Sequence, residues 1–327
     1  GDGTVVNKSS AVSSLNVTSG ITKIQSSDST VCALSNTGAL WCWGSGSYGQ
    51  HGFTSGTVST PAQVTGLNAS VDQFGLSDIQ MTYALTASGT LYSWGRNSAT
   101  VGNLGRPGLA DGTNYGPGVV ISNGVSSLPA SSQRLQDSSM CVVMVSGGIK
   151  CWGFNSSGQL GDGTETNNLS PVDVLGLSSG VSSVYMGSAN TCALLFNGEL
   201  RCWGSFNYIL GEGFTANVKV PIKIQGVNGV ISDFILGNNN ACVTYTTGAL
   251  SCWGYNANGS IGDGTNLTRY YPVSVDGFSS SGAKSVSMSK SGYSVCAVTN
   301  MGKVKCWGSN GSYGLLGEGT TVSRFTP

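Results

Sequence analysis

Ten cysteines are the residues of this sequence best suited to covalent or metal chemistry, and they form five pairs with nine residues between the partners. An even set with none left over is typical of disulfides, whereas a zinc site would need closer spacing such as C-x2-C. Because cytosolic proteins rarely keep disulfides, the pairs also indicate an oxidising compartment, extracellular or at the cell surface. The predicted disulfides are Cys32–Cys42, Cys141–Cys151, Cys192–Cys202, Cys242–Cys252 and Cys296–Cys306.

Other residue types give no sign of catalysis. A nucleophilic triad needs a base beside a serine or cysteine, and the single histidine, His51, takes a position where other repeats carry Leu160 or Ile261. We therefore interpret it as a packing residue. Acidic residues recur singly between two glycines, which favours fixing of turns over calcium binding. The sequence predicts a protein that is not an enzyme and that holds no metal or cofactor. The recurring acidic residues are Asp2, Asp162, Glu212, Asp263 and Glu318.

The composition excludes two classes of partner. Only 9% of the residues are charged and the formal net charge is zero, so no long-range field attracts nucleic acid or an anionic membrane. No apolar run approaches the roughly 20 residues that span a bilayer. We predict neither nucleic-acid binding nor membrane insertion.

Each cysteine pair encloses a glycine, as in "CALSNTGALWCWG" from Cys32. The pattern predicts two short antiparallel strands joined by a three-residue turn at residues 36–38, whose last residue takes the left-handed conformation that glycine adopts freely. Counting outward from the turn places Cys32 opposite Cys42, at a separation that suits a disulfide. A further copy, from Tyr83, has Tyr83 and Ser93 in place of the cysteines.

A Trp-Gly pair follows every copy, and the copies recur at intervals of 50 to 58 residues. Each tryptophan points away from the preceding cysteine across its strand, which favours packing between neighbouring units. The interval also contains two further strand patterns, and four short strands per unit of this length are typical of a β-propeller blade. The six tryptophans are Trp43, Trp94, Trp152, Trp203, Trp253 and Trp307.

The motifs "WGFNSSGQLGDGT" and "WGYNANGSIGDGT", each followed by Pro-Val and a cysteine hairpin, resemble the regulator of chromosome condensation repeat family. The resemblance covers essentially the whole chain and implies a circular propeller of four-stranded antiparallel blades. We predict an all-β, six-bladed propeller, with seven blades as the alternative, formed by residues 1–327 as one domain and closed by the N- and C-terminal segments. The chain is expected to be part of a longer protein. The action of nuclear members on a small GTPase and chromatin does not transfer to an uncharged, disulfide-bonded chain.

In such blades, the loops between the first and second and between the third and fourth strands share one face. These loops are rich in aromatic residues next to Asn, Ser and Gly, a composition that suits binding of sugars or proteins. The second unit has the longest loop, which predicts ligand specificity there. We expect a non-enzymatic recognition module of the surface-adhesin type that binds a cell-surface glycan or protein and is carried on a larger surface or fibre protein. The alternative is a secreted enzyme inhibitor, resembling β-lactamase inhibitory propellers. The candidate ligand-binding residues are Tyr48, Phe53, Arg96, Arg106, Tyr115, Phe154, Phe206, Tyr208, Tyr255 and Tyr313.

Overall fold

A computed structural model describes residues 1–53, 56–77, 80–110, 114–130, 139–205, 208–211, 216–278, 282–289 and 291–327. Over these residues the protein is all-β, with 23 strands in six antiparallel sheets in which sequence neighbours pair. None of the described segments forms a helix of the length and hydropathy needed to cross a membrane. By its contacts the chain divides into two units. The all-β prediction is confirmed.

Unit 1 consists of Gly1–Ala130, Arg134–Ser156 and Glu165–Ser179 and contains the first three sheets. Sheet I consists of β1 (Ile21–Ser26), β2 (Thr30–Ser35), β3 (Leu40–Ser45) and β4 (Thr57–Gln63). Sheet II consists of β5 (Val71–Leu76), β6 (Met81–Thr86), β7 (Leu91–Arg96) and β8 (Asn114–Ile121). Sheet III consists of β9 (Val125–Ser127), β10 (Ser139–Met144), β11 (Ile149–Gly153) and β12 (Asn168–Asp173).

Unit 2 consists of Ser131–Gln133, Ser157–Thr164 and Gly180–Pro327 and contains the other three sheets. Sheet IV consists of β13 (Val181–Met186), β14 (Asn190–Leu195), β15 (Leu200–Gly204) and β16 (Val218–Lys223). Sheet V consists of β17 (Ile231–Leu236), β18 (Asn240–Tyr245), β19 (Leu250–Gly254) and β20 (Arg269–Ser274). Sheet VI consists of β21 (Ala283–Met288), β22 (Ser294–Thr299) and β23 (Val304–Gly308).

The sixth sheet differs from the four-stranded prediction. In sheet V the outer strand begins where Arg269 pairs with Gly254 and continues to Ser274. In sheet VI the corresponding pairing is a single bridge between Gly308 and Arg324, and only three residues follow Arg324. Residues 1–20 form no strand. The number of blades and the closure by the terminal segments therefore stay predictions.

All five predicted disulfides are present, and each joins directly opposed residues of one hairpin. The Cα atoms of the partners lie 4.0 to 4.1 Å apart. At the turn, Gly38 has φ of +80° and donates its amide to the Ser35 carbonyl at 3.0 Å. The register and the glycine turn predicted for these hairpins are confirmed.

The glycine of each Trp-Gly pair has a steric role. Gly204 has φ of +114°, and a Cβ atom there would overlap the carbonyl oxygen of Ala189, which directly precedes the neighbouring strand β14. Gly44, Gly254 and Gly308 meet a backbone carbonyl in the same way. The pair therefore combines a large ring with a close approach of two backbones, which only glycine permits.

The repeated tryptophans link each repeat to the one before it. Trp203 is buried, and its Nε1 donates to the backbone carbonyl of Gln159 at 2.8 Å. Trp94, Trp152, Trp253 and Trp307 donate to the equivalent loop position of the preceding repeat at 2.9 to 3.3 Å. The packing role predicted for these rings is confirmed. Trp43 differs from the others, because it is only partly buried and its indole has no partner among the described residues.

The core lies between neighbouring sheets. In unit 2, Cys192 and Cys202 of sheet IV pack in one buried cluster with Phe234 and Trp253 of sheet V. A second cluster joins the sheet V cystine to Trp307 of sheet VI, and in unit 1 a third joins sheets I and II. The central strand β18 is buried at every position, as expected for a strand covered on both faces. Disulfide and tryptophan thus alternate through the core of each unit.

The acidic residues between glycines stabilise turns. The Asp162 carboxylate accepts hydrogen bonds from the amide and hydroxyl of Thr164 at 3.0 and 2.8 Å. Asp2 and Asp263 bind the threonine two residues further on in the same manner, and Glu318 accepts from the corresponding threonine hydroxyl. The predicted turn role is confirmed for these four residues, while Glu212 lies outside the described residues.

Candidate recognition surface

Four tyrosines of unit 2 form a continuous row of ring contacts, here called the tyrosine row. The ring centroids of Tyr293 and Tyr255 are 6.2 Å apart, those of Tyr255 and Tyr208 are 5.6 Å apart, and those of Tyr208 and Tyr270 are 6.0 Å apart. The rings are tilted by 36° to 53° against their neighbours. Such spacing is within the favourable range for aromatic pairs. The row therefore extends over parts of three successive sheets.

The members of the row come from three different parts of the repeat. Tyr208 lies between β15 and β16, and Tyr255 directly follows β19. Tyr293 lies between β21 and β22, whereas Tyr270 belongs to β20. The contact between Tyr255 and Tyr293 thus brings together a third-to-fourth strand loop and a first-to-second strand loop.

A buried asparagine supports two of these loops. Asn240 is buried, and its Nδ2 donates to Ser260 Oγ at 3.0 Å and to the carbonyl of Gly292 at 2.5 Å. Ser260 Oγ in turn donates to the carbonyl of Tyr255 at 3.1 Å. Because buried polar networks of this kind restrict backbone movement, the network fixes Tyr255 relative to the residue before Tyr293.

A second asparagine holds the loop that separates Tyr255 from Tyr270. Asn256 is buried, and its Nδ2 donates to the carbonyls of Thr265 and Leu267 at 3.0 and 3.1 Å. Its Oδ1 accepts the amide of Ile261 at 2.9 Å. The side chain therefore replaces the backbone pairing that the loop lacks.

An ion pair between this loop and the start of β20 lies next to Tyr270 and is neutral overall. Arg269 Nε lies 2.6 Å from Asp263 Oδ2, and the Asp263 side chain is almost fully buried. Burial opposes ionisation of Asp263, but hydrogen bonds from Thr265 and Arg269 outweigh it and lower the pKa of the carboxyl group. The pair stays ionised at neutral pH and presents no net charge beside the row.

The predicted residues of the second repeat form two arginine–tyrosine contacts in unit 1. The Arg96 guanidinium lies 5.0 Å from the centre of the Tyr48 ring, and the Arg106 guanidinium lies 5.7 Å from that of Tyr115. Arg106 also donates to the carbonyl of Gly116 at 3.4 Å, and burial lowers its pKa. These cation–π contacts place arginine against both aromatic rings.

The other candidates lie apart from the row. Phe53 packs against the core of unit 1, and Phe154 is partly buried. Tyr313 is 89% exposed at a shallow cleft of about 620 Å³ formed by residues 312–314 and 319–322. Phe206 lies outside the described residues. Of the nine candidates that the structure describes, only Tyr208 and Tyr255 belong to the row. Tyr270 and Tyr293 were not among the candidates, because their membership depends on ring contacts between repeats.

His51 is a buried loop residue. Its Nε2 lies 3.2 Å from the carbonyl oxygen of Gly56, and its Nδ1 accepts the amide of Phe53 at 3.2 Å. The ring fits because Gly46, where another repeat has Asn256, has no side chain to collide with it. Burial lowers the pKa of His51, against the effect of the bond to Gly56. Among the residues described, no three His, Cys, Asp or Glu side chains form a group that holds a metal ion.

A further cleft of unit 2 lies at the cysteine hairpin turns. It has a volume of about 760 Å³ and is lined by residues 194–200, 223–224 and 227–231 together with Ser182. Phe196 is 79% exposed and Val230 is 67% exposed at its rim. Its charged groups are engaged with one another, since Lys223 lies 3.6 Å from Glu199. Sequence reasoning did not predict this cleft.

Sheets built on cysteine hairpins and linked by tryptophans define a repeat protein of the β-propeller class. Profiles of the Regulator of chromosome condensation (RCC1) repeat match residues 21–50, 146–194 and 181–208. The fold is similar to human WBSCR16 (TM-score 0.73, 22% identity, covering 94% of this chain and 80% of that one). It is also similar to yeast RCC1 (Prp20) in its complex with Kap60 (TM-score 0.70, 20% identity, 94% and 74% coverage). The chain therefore contains RCC1-type repeats within residues 21–50 and 146–208, and its fold is that of RCC1-like propellers.

Two curated relatives illustrate the range of similarity. The Ultraviolet-B receptor UVR8 of Arabidopsis thaliana is 27% identical over 94% of this chain and 57% of its own length. The human E3 ubiquitin-protein ligase HERC2 is 30% identical over 51% of this chain and 3% of its own length. The chain thus spans between 3% and 57% of the length of these relatives.

Proposed function

We propose that this protein is a non-enzymatic recognition module of the surface-adhesin type, which binds a cell-surface glycan or protein through its loop-rich face. The tyrosine row carries the proposal. Tyrosine supplies a large amphipathic contact area at low conformational-entropy cost, which is why binding surfaces are rich in it. RCC1-like propellers are interaction modules, and this class of function agrees with a surface of aromatic loops.

The proposed location is extracellular. Five disulfides within single hairpins indicate an oxidising compartment. We propose further that the six sheets form a six-bladed ring closed by the terminal segments, and that this ring is carried on a larger surface or fibre protein. No nucleic acid and no inserted membrane segment belongs to the proposed complex. Nothing in the contacts above specifically favours the enzyme-inhibitor alternative.

The experiment compares binding of the labelled protein to a panel of cells by flow cytometry. We expect Tyr255→Ala to weaken binding strongly, because Tyr255 contacts two other rings of the row. Tyr271→Ala is the matched control, since Tyr271 is a 45% exposed tyrosine of the same strand as Tyr270 and lies outside the row. Equal binding by both variants and the parent protein would contradict the proposal that the ligand is recognised by the tyrosine row on the loop-rich face.

A further inference from the structure

The phenol hydroxyls of the tyrosine row have no protein partner among the described residues. The row consists of Tyr208, Tyr255, Tyr270 and Tyr293, and the rings contact one another without hydroxyl hydrogen bonds. Tyr270 is 36% exposed, and the other three are partly buried. A phenol can both donate and accept a hydrogen bond. The row therefore offers apolar ring surface and unused hydroxyl groups side by side.

The aromatic rings of unit 1 differ in this respect. Arg96 lies over the Tyr48 ring and Arg106 over the Tyr115 ring, so a cation already contacts each ring. The Tyr115 hydroxyl accepts the amide of Ala110 at 2.7 Å. Among the described residues, no Lys or Arg forms such a contact with a ring of the row. Ring surface and hydroxyl groups are thus both accessible to a ligand in unit 2.

The setting of the row argues against a charged ligand. Arg269, which precedes Tyr270, is neutralised by Asp263 at 2.6 Å. A phosphate-bearing ligand such as nucleic acid depends on unpaired Lys and Arg for its affinity. The ligand that fits this setting is uncharged and carries many hydroxyl groups.

The shape of the row argues for a chain of similar small rings. No member of the row lines either of the two clefts described above, and each of the four rings keeps part of its surface exposed to solvent. Protein partners draw most of their binding energy from residues seated in enclosed, desolvated pockets. A pyranose ring instead has a flat face of C–H groups that stacks on an open aromatic ring, and its hydroxyls lie around the edge.

We propose that the tyrosine row binds a neutral oligosaccharide, whose successive sugar rings stack on successive tyrosines while the phenol hydroxyls bind sugar hydroxyls. This inference rests on the proposed recognition function and names its ligand class. Because four rings form the row, binding extends over several sugars and strengthens with chain length.

The test is titration calorimetry of the whole protein with uncharged linear glucose, mannose and galactose oligomers, from monosaccharide to hexasaccharide. We expect at least one series to bind, with affinity that rises with length and then levels off. Tyr255→Ala weakens binding about tenfold, as for loss of one good aromatic contact. Tyr255→Phe, which keeps the ring and loses the hydroxyl, gives a smaller loss, and Tyr271→Ala gives none. Near-ultraviolet circular dichroism verifies that each variant is folded.

Three results would overturn the inference: no binding by any neutral series at millimolar concentration, binding of charged oligosaccharides alone, or an equal loss in Tyr255→Ala and Tyr271→Ala. The cell assay separates this failure from failure of the proposed function. Cell binding that needs Tyr255, survives glycosidase and is abolished by protease identifies a protein ligand, so the sugar inference is wrong while the recognition function stands. Cell binding indifferent to Tyr255 contradicts both.

Discussion

The second repeat has no disulfide, and Tyr83 and Ser93 pair at the position that a cystine occupies in the other repeats. It therefore allows a sharp test of whether packing of Tyr83 replaces the stabilisation by a disulfide. Changing both to cysteine would close a loop of about eleven residues and stabilise the fold by about 2.7 kcal/mol in the chain-entropy treatment. The fully buried Tyr83 ring would be lost with its edge contact to Trp152 at 6.2 Å. Its hydroxyl also donates to the carbonyl of Asn103.

The stability lost by removing the Tyr83 ring and the two hydroxyl groups exceeds the stability gained from the new disulfide. Removing a buried aromatic ring costs about 3 kcal/mol at the low end of the measured range, and cysteine refills little of the space. The Tyr83 hydroxyl bond and the bond from Ser93 Oγ to the carbonyl of Leu104, at 2.6 Å, contribute about 1 kcal/mol each. We therefore expect Y83C/S93C to be less stable than the parent by about 2 kcal/mol, even with the new disulfide formed.

The assay is denaturant unfolding under non-reducing conditions, with thiol titration to verify that the new disulfide has formed. The control Y83F/S93A keeps the ring, removes both hydroxyls and is expected to lose about 1 to 2 kcal/mol. The reasoning would be refuted if oxidised Y83C/S93C were more stable than the parent. That result would mean that Tyr83 and Ser93 contribute less to the free energy of unfolding than a cystine does at this position.

Two further predictions concern the backbone and pH. Gly204→Ala should destabilise the protein far more than Gly176→Ala, measured by thermal unfolding, because both have positive φ but only Gly204 has a carbonyl oxygen where the Cβ would lie; equal effects would contradict the overlap. Burial raises the pKa of Asp233 in the folded protein, so the folded state holds this proton more tightly than the unfolded chain does. The stabilisation that the protonated carboxyl group provides is fully present below about pH 3.9 and is lost as pH rises through the higher folded-state pKa. Relative to the parent, D233N should therefore gain unfolding free energy between about pH 3 and about pH 7, and a constant difference across that range would contradict the shift.

The hairpins could be predicted from sequence because their determinants are local. Cys32, Gly38 and Cys42 fix the turn, the register and the crosslink within eleven residues, and the repetition of the pattern indicates blades. Packing of the repeated tryptophans against a neighbouring unit could be predicted for the same reason. The acceptor itself, such as the Gln159 carbonyl for Trp203, depends on the packing of two repeats and is not encoded by any residue type.

The site was less predictable because it depends on contacts between repeats. Composition pointed to Tyr208 and Tyr255 but gave equal weight to Tyr48 and Tyr115, whose rings are covered by arginine. Tyr270 lies in a strand, and no sequence pattern indicates that its ring contacts a loop of the preceding sheet. Ring-to-ring distances, rather than residue type, distinguish the row from the other aromatic residues.

The central claim is that the tyrosine row contacts the ligand, and site-specific photocrosslinking tests it most directly. A photoreactive phenylalanine analogue is introduced at Tyr208 in one protein and at Tyr271 in another, and each is irradiated on cells that bind the parent. The account predicts that the probe at Tyr208 captures cell-surface material and that the probe at Tyr271 does not. Capture from Tyr271 alone would contradict it.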